Sequence, residues 1–271
     1  DTGNAEDADQ LVISGVAASA TYTPGTNNTL GLDGHTDFRG TVTVGTTVVR
    51  FQEFDAGSSV RMTGVTSVTL QTPLASDSLI FDTVSVNGVV NQRVSGTTGG
   101  IFAVPLLFSG ATSFILDSAT ADVGAGDDTV TVSTWVPTIL GNVTLNLGAG
   151  NDTVFLSAGA TAAINTLVVN ADAGNDNIIV TAWTPTVLTN VTFNVGTEDD
   201  TVTISAPLLG TAITAFALNG NDGNDRLNLN FDNLSLTGGG SIAFNGGNGT
   251  DTIGVTNNVT TMTLGVNTVT S

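Results

Sequence analysis

One short acidic phrase recurs six times between Val123 and Asp251, and its spacing constrains the fold more than any other feature of the chain. It reads Val123-Gly-Ala-Gly-Asp127-Asp128-Thr-Val, Leu147-Gly-Ala-Gly-Asn151-Asp152-Thr-Val and Ala171-Asp172-Ala-Gly-Asn175-Asp176-Asn-Ile. It continues as Val195-Gly-Thr-Glu198-Asp199-Asp200-Thr-Val, Gly220-Asn-Asp222-Gly-Asn224-Asp225-Arg-Leu and Gly246-Gly247-Asn-Gly249-Thr-Asp251-Thr-Ile. The final aspartates lie 24, 24, 24, 25 and 26 residues apart. A fixed period of this length marks a chain that stacks equivalent coils on one another.

With each final aspartate as position zero, the apolar residues fall into columns. Position +2 holds Val130, Val154, Ile178, Val202, Leu227 and Ile253, and position +4 holds Val132, Leu156, Val180, Ile204, Leu229 and Val255. Before the turn, position −7 holds Leu145, Val169, Phe193, Leu218 and Phe244, and position −9 holds Val143, Leu167, Val191, Phe216 and Ile242. A spacing of two puts each pair on one face of a strand. The expectation is an all-β parallel β-solenoid, each coil running strand, acidic glycine turn, strand and longer loop. Position −6 (Asn146, Asn170, Asn194, Asn219, Asn245) predicts a ladder of side-chain amides.

The strict pattern begins near Phe114, which divides the chain into an irregular β region, 1–112, and a regular solenoid, 113–271. Leu11 and Ile13 after Asp9, and the strand after Asp77, echo the later coils. The 51 residues from Asp77 to Asp128 are close to two periods, so degenerate coils are expected in the first region. Extended over the whole length, the period predicts roughly eleven coils.

Composition removes several classes of function. The formal charge is −19, with five arginines, no lysine and 24 acids, of which Glu6, Glu53 and Glu198 are the glutamates. Such a balance argues against nucleic acid or an anionic membrane as partner. No apolar run is long enough to span a bilayer, so membrane insertion is not expected. There is no cysteine, hence no disulfide and no thiolate metal site. The first residue, Asp1, leads us to expect a processed protein or a piece of a longer one.

Stacked coils would bring the turn carboxylates within ~4.8 Å of one another. Unit charges at that distance repel by about 0.9 kcal/mol in water and several times that near a protein surface. A hard dication with oxygen ligands relieves this, and glycine-rich turns expose carbonyl oxygens. The candidate Ca²⁺ ligands are Asp127, Asp128, Asn151, Asp152, Asp172, Asn175, Asp176, Asp199, Asp200, Asp222, Asn224, Asp225, Gly247, Gly249 and Asp251. The alternative is an ion-free tight turn, since Asn and Asp tolerate left-handed backbone and cap their own turns.

Gly246-Gly247-Asn-Gly249-Thr-Asp251-Thr-Ile-Gly254 resembles the calcium-binding nonapeptide of RTX (haemolysin-type) proteins at every defined position, and the phrase ending at Asp225 differs only by Asn221. The resemblance covers about 130 residues and implies a calcium-binding β-roll whose ions lie between stacked turns, held by the aspartate and turn carbonyls. RTX nonapeptides follow one another in tandem, whereas one phrase per coil here implies at most one ion column. Glu198 stands where the motif has glycine. The spacing is also similar, more loosely, to repeats of large bacterial surface proteins and adhesins.

The function expected is therefore a non-enzymatic extracellular or cell-surface structural protein, a calcium-stabilised subunit of a fibre, surface layer or stalk that self-associates into a homo-oligomer or filament. An adhesin or carbohydrate-binding module with a glycan or cell-surface ligand is the alternative, and a β-helical polysaccharide-active enzyme the weakest one. His35 has no evident acid–base partner in the sequence, and Trp135 and Trp183 read as loop anchors.

Overall fold

The computed structural model describes residues 9–27, 29–30, 36–55, 57–73, 76–118, 126–134, 140–157, 164–181, 189–205, 208–230 and 234–256. His35, Trp135 and Trp183, and with them the expectations they carried, lie outside these residues. Among the described residues the chain is all β, with no helix.

The first region contributes β1 (Gln10–Pro24), β2 (Thr29–Leu30), β3 (Thr36–Val44), β4 (Thr47–Phe54), β5 (Ser59–Gln71), β6 (Ser78–Val86), β7 (Val89–Thr98) and β8 (Ile101–Ser109). β9 (Ser113–Asp117), β10 (Thr129–Val132), β11 (Leu140–Asn146), β12 (Thr153–Leu156), β13 (Ile164–Asn170) and β14 (Asn177–Val180) follow. β15 (Asn190–Asn194), β16 (Thr201–Ile204), β17 (Leu208–Asp222), β18 (Arg226–Asn230), β19 (Leu234–Asn248) and β20 (Thr252–Thr256) complete the order. They form a mixed, nearly closed sheet around one apolar core that runs from Ala20 to Leu229.

Two parallel ladders account for the repeats. One joins the strands that follow the aspartates, β6–β10–β12–β14–β16–β18–β20. The other joins the strands that precede the turns, β1–β5–β9–β11–β13–β15–β17–β19. Registers follow the columns read from the sequence: Val130 pairs with Val154 and Leu145 with Val169. Valine, isoleucine and leucine stack on their own kind because a one-residue slip would turn every one of them to solvent. All the +2 and +4 residues from Val130 to Leu229 are buried.

The first region uses the same ladders but interrupts them. β1 and β5 run side by side without a loop, the first part of β5 pairing with β8 and the second with β9. They turn at Gly15 (φ 132°) and Gly64 (φ 73°), where the chains approach so closely that a Cβ on Gly64 would meet the carbonyl oxygen of Gly15. Antiparallel hairpins occupy the remaining chain: β3 and β4 fold against the end of β1, and β6, β7 and β8 form a meander. Asp77 is consequently one level from Asp128, because Ser78 pairs with Thr129. The 51-residue interval holds a meander rather than two coils. For the same reason the second ladder has, among the described residues, eight parallel levels where the period alone predicts roughly eleven for the full length.

Candidate functional site: the stacked acidic turns

Each turn is built by two backbone requirements. Position −4 (Gly148, Asp172, Gly196, Asn221, Gly247) has φ between 71° and 108°, and position −2 (Gly150, Gly174, Glu198, Gly223, Gly249) has φ between 80° and 145°. Glycine dominates for a second reason, the distance to the coil below. A Cβ on Gly150, Gly174, Gly196, Gly223, Gly247 or Gly249 would collide with a carbonyl oxygen of the preceding turn. Glu198 accepts the left-handed conformation and its Oε2 receives the Gly174 N–H at 2.9 Å and the Thr197 hydroxyl at 2.6 Å. Isolated bridges Ala149–Ala173, Ala173–Thr197 and Thr197–Asp222 continue the pairing through the turns themselves.

The acidic residues separate into two columns with opposite environments. Position zero is buried: Asp77, Asp128, Asp152, Asp176, Asp200 and Asp225 are each no more than 2% exposed. The backbone N–H of each donates to Oδ1 of the aspartate in the next coil. The distances are 2.6 Å (Asp77 to Asp128), 2.7 Å (Asp128 to Asp152, Asp152 to Asp176, Asp176 to Asp200), 3.1 Å (Asp200 to Asp225) and 3.0 Å (Asp225 to Asp251). Each of their carbonyls also accepts an N–H from the next coil, as in Asn177 to Asp152 at 2.8 Å.

Position −1 is exposed and bonds in the reverse direction. The N–H groups of Asn151, Asn175, Asp199, Asn224 and Thr250 donate to the side-chain oxygen of the coil before, at Asp127 (2.7 Å), Asn151 (2.9 Å), Asn175 (3.1 Å), Asp199 (2.8 Å) and Asn224 (2.9 Å). The single edge of stacked carboxylates expected from sequence is thus two columns, one inside the turn and one outside. Asp172 and Asp222 are exposed beside them, and Asn248 Nδ2 donates to Asp222 Oδ1 at 2.6 Å. The amide ladder forms as expected between Asn146, Asn170, Asn194 and Asn219, with three Nδ2–H···Oδ1 bonds of 2.7 Å.

Burial raises the carboxyls of the inner column. Desolvation, added to by the charges of neighbouring coils and opposed by the bond from the preceding N–H, pushes Asp152 and Asp200 up to about 8 and Asp176 up to about 7. Asp225 is raised for the same first cause, with Asp251 and Asp199 adding. The second oxygen of Asp152, Asp176, Asp200 and Asp225 is buried without a hydrogen-bond donor. A buried carboxylate oxygen in that position calls for a proton or a cation. Among the described residues, no three His, Cys, Asp or Glu side chains converge into a metal-holding group.

Sequence reasoning missed one member of the inner column. Ser58, 2% exposed, accepts the Asp9 N–H on its Oγ at 2.9 Å and so takes the aspartate's place between β1 and β5. Val60 and Met62 at +2 and +4 were the available signal. Comparison with family models, with curated proteins and with solved structures finds no match to the chain.

Proposed function

We propose that the chain is a parallel β-solenoid serving as a non-enzymatic structural element outside the cell or on its surface, a self-associating subunit of a fibre, surface layer or stalk, with Ca²⁺ neutralising part of its acidic edge. The observation that supports this most is the repetition of the inner column: every coil adds the same side-chain and backbone bonds to the one before, which builds length rather than a unique pocket. Self-association is supported by the ends. Among the described residues β19 and β20 pair on one side only, and such edges favour addition of further strands, while β3 and β4 lie across the second ladder at its other end.

The residues fit Ca²⁺ best at the last two turns. Position −5 is filled by Leu147, Ala171 and Val195 in three earlier turns but is glycine at Gly220 and Gly246, and there the carboxylates of Asp225 and Asp251 occupy the space a Cβ would take. Asp225, Asp251 and the oxygens around Asp222, Asn224, Gly247 and Gly249 would hold the ion, which supplies positive charge and accepts carbonyl oxygens. At Asp152, Asp176 and Asp200 a second reading is favoured, an ion-free turn in which the raised carboxyl keeps its proton.

Sedimentation velocity and electron microscopy, in calcium and in chelator, test the structural role. Elongated particles that associate end to end with rising concentration are expected, and a strictly monomeric species under every condition would sink it. Chelation should lower the melting temperature, since an ion that binds only the native state stabilises it by mass action. That response should vanish in Asp225→Asn and persist in Asp152→Asn; an unchanged wild-type melt would leave the ion-free turn throughout.

A further inference from the structure

We propose that the cavity between β8 and the turn preceding β5 is a binding site for an organic ammonium ion with an apolar body. The site arises from a mismatch in strand length. β8 pairs with β5 only from Leu106, opposite Val60, so its first residues run past the start of β5. The chain there is a turn closed by the Ser58 N–H on the Asp55 carbonyl at 3.0 Å. Pro105 has no N–H to offer a neighbouring strand, which suits an unpaired edge. The buried Tyr22 holds the wall in place by donating its hydroxyl to the Val104 carbonyl at 3.0 Å.

The resulting cavity has a volume of about 420 Å³, within the range of small-molecule sites. Phe38, Ile80, Phe102, Val104 and Pro105 make most of its wall, and Asp55 is the one ionisable residue in it among the described residues. Phe102 is 67% exposed and Ile80 46%, so apolar surface here stays in contact with water until something covers it. Gly96 (φ 146°) contributes backbone to the wall, and a side chain there would strike the Ser78 carbonyl.

The occupant's chemistry follows from what the wall offers. An apolar body covers Ile80, Val104 and Pro105. A cationic head is attracted by Asp55 and by the faces of Phe38 and Phe102, as aromatic rings attract ammonium groups. Among the described residues no arginine lines the cavity and the sequence has no lysine, and a net charge of −19 concentrates cations near the surface and repels anions. Ser58 is the one inner-column residue in its wall; the six acidic phrases between Val123 and Asp251 contribute none, so the cavity would fill whether or not those turns hold calcium.

Ligand-observed NMR and calorimetry with benzyltrimethylammonium, benzyl alcohol and benzenesulfonate test the site on the full chain. The ammonium probe should bind saturably, roughly tenfold tighter than the alcohol, and the sulfonate should not bind. Asp55→Asn should bring the ammonium to the level of the alcohol, Phe102→Ala should weaken both, and Asp199→Asn on the acidic edge should change neither. In the wild-type chain, amide shifts on adding the ammonium should centre on Gly57 and Ala103 and leave Gly150 unmoved, a readout independent of whether any variant folds. Absence of saturable binding, equal affinity for the three probes, retention in Asp55→Asn, loss in Asp199→Asn or shifts centred on the acidic turns would overturn the proposal.

Discussion

The two regions of the molecule hold the same pair of ladders by different means. From β10 onward each coil is fixed by its turn: glycines allow close approach, and the inner and outer columns bond in opposite directions. Before β9, among the described residues, Ser58 and Asp77 carry the inner column, and hairpins fill the intervals. The apolar columns are common to both regions, so they suffice to set parallel register; the acidic turn is what holds the period close to 24 residues. The surfaces differ accordingly. Among the described residues, Val12, Val48, Ile80, Val89, Val90 and Phe102 are large exposed apolar residues of the first region, against Phe155 in the second.

The comparison breaks most sharply at glycine. Gly174→Ala puts a Cβ into the Gly150 carbonyl at φ 131°, and should cost about 3 kcal/mol or more. Gly45→Ala, in the β3–β4 turn at φ 60° with nothing near its Cβ position, should cost only about 1 kcal/mol. Urea unfolding of the two variants measures both. Equal costs would mean that the close stacking of the turns does not govern stability.

The inner column gives the next largest effect. Asp176→Ala removes the acceptor of the buried Asp152 N–H and should cost about 1–3 kcal/mol. Asp176→Asn keeps an oxygen acceptor and removes the charge, so in chelator it should melt above the wild type at pH 9 and close to it at pH 5. Smallest of all, Phe155→Ser on the outer face of β12 should stay within about 0.5 kcal/mol of the wild type by thermal melt, as surface changes do.

Much of the repeated half was legible because its period is strict: the apolar columns and the amide ladder Asn146–Asn219 appear as the sequence implies. The environment of the acids was not. Periodicity puts the position −1 residues and the position-zero aspartates on the same turn, but only the turn's φ angles decide that Asp152 points inward while Asn151 stays in water. In the first region the hairpins were hidden because β6 to β8 contain apolar alternation that suits a parallel ladder as well as it suits a meander. Ser58 escaped notice because a hydroxyl replaces a carboxylate as acceptor, a substitution that hydrogen bonding permits and a search for aspartate does not find.

The most direct test is the thermal melt of the wild-type chain from pH 5 to pH 9 in chelator. A carboxyl raised from its unfolded value near 4 to about 7 in Asp176 and about 8 in Asp152 and Asp200 binds its proton more tightly in the folded chain. Its contribution is full below the unfolded value and is lost as pH rises through the folded one. The account predicts a melting temperature that falls as pH rises through 7 to 8, with calcium restoring part of the loss at pH 9. A melting temperature that holds steady or rises across that interval would contradict a buried column of aspartates at the heart of the turns.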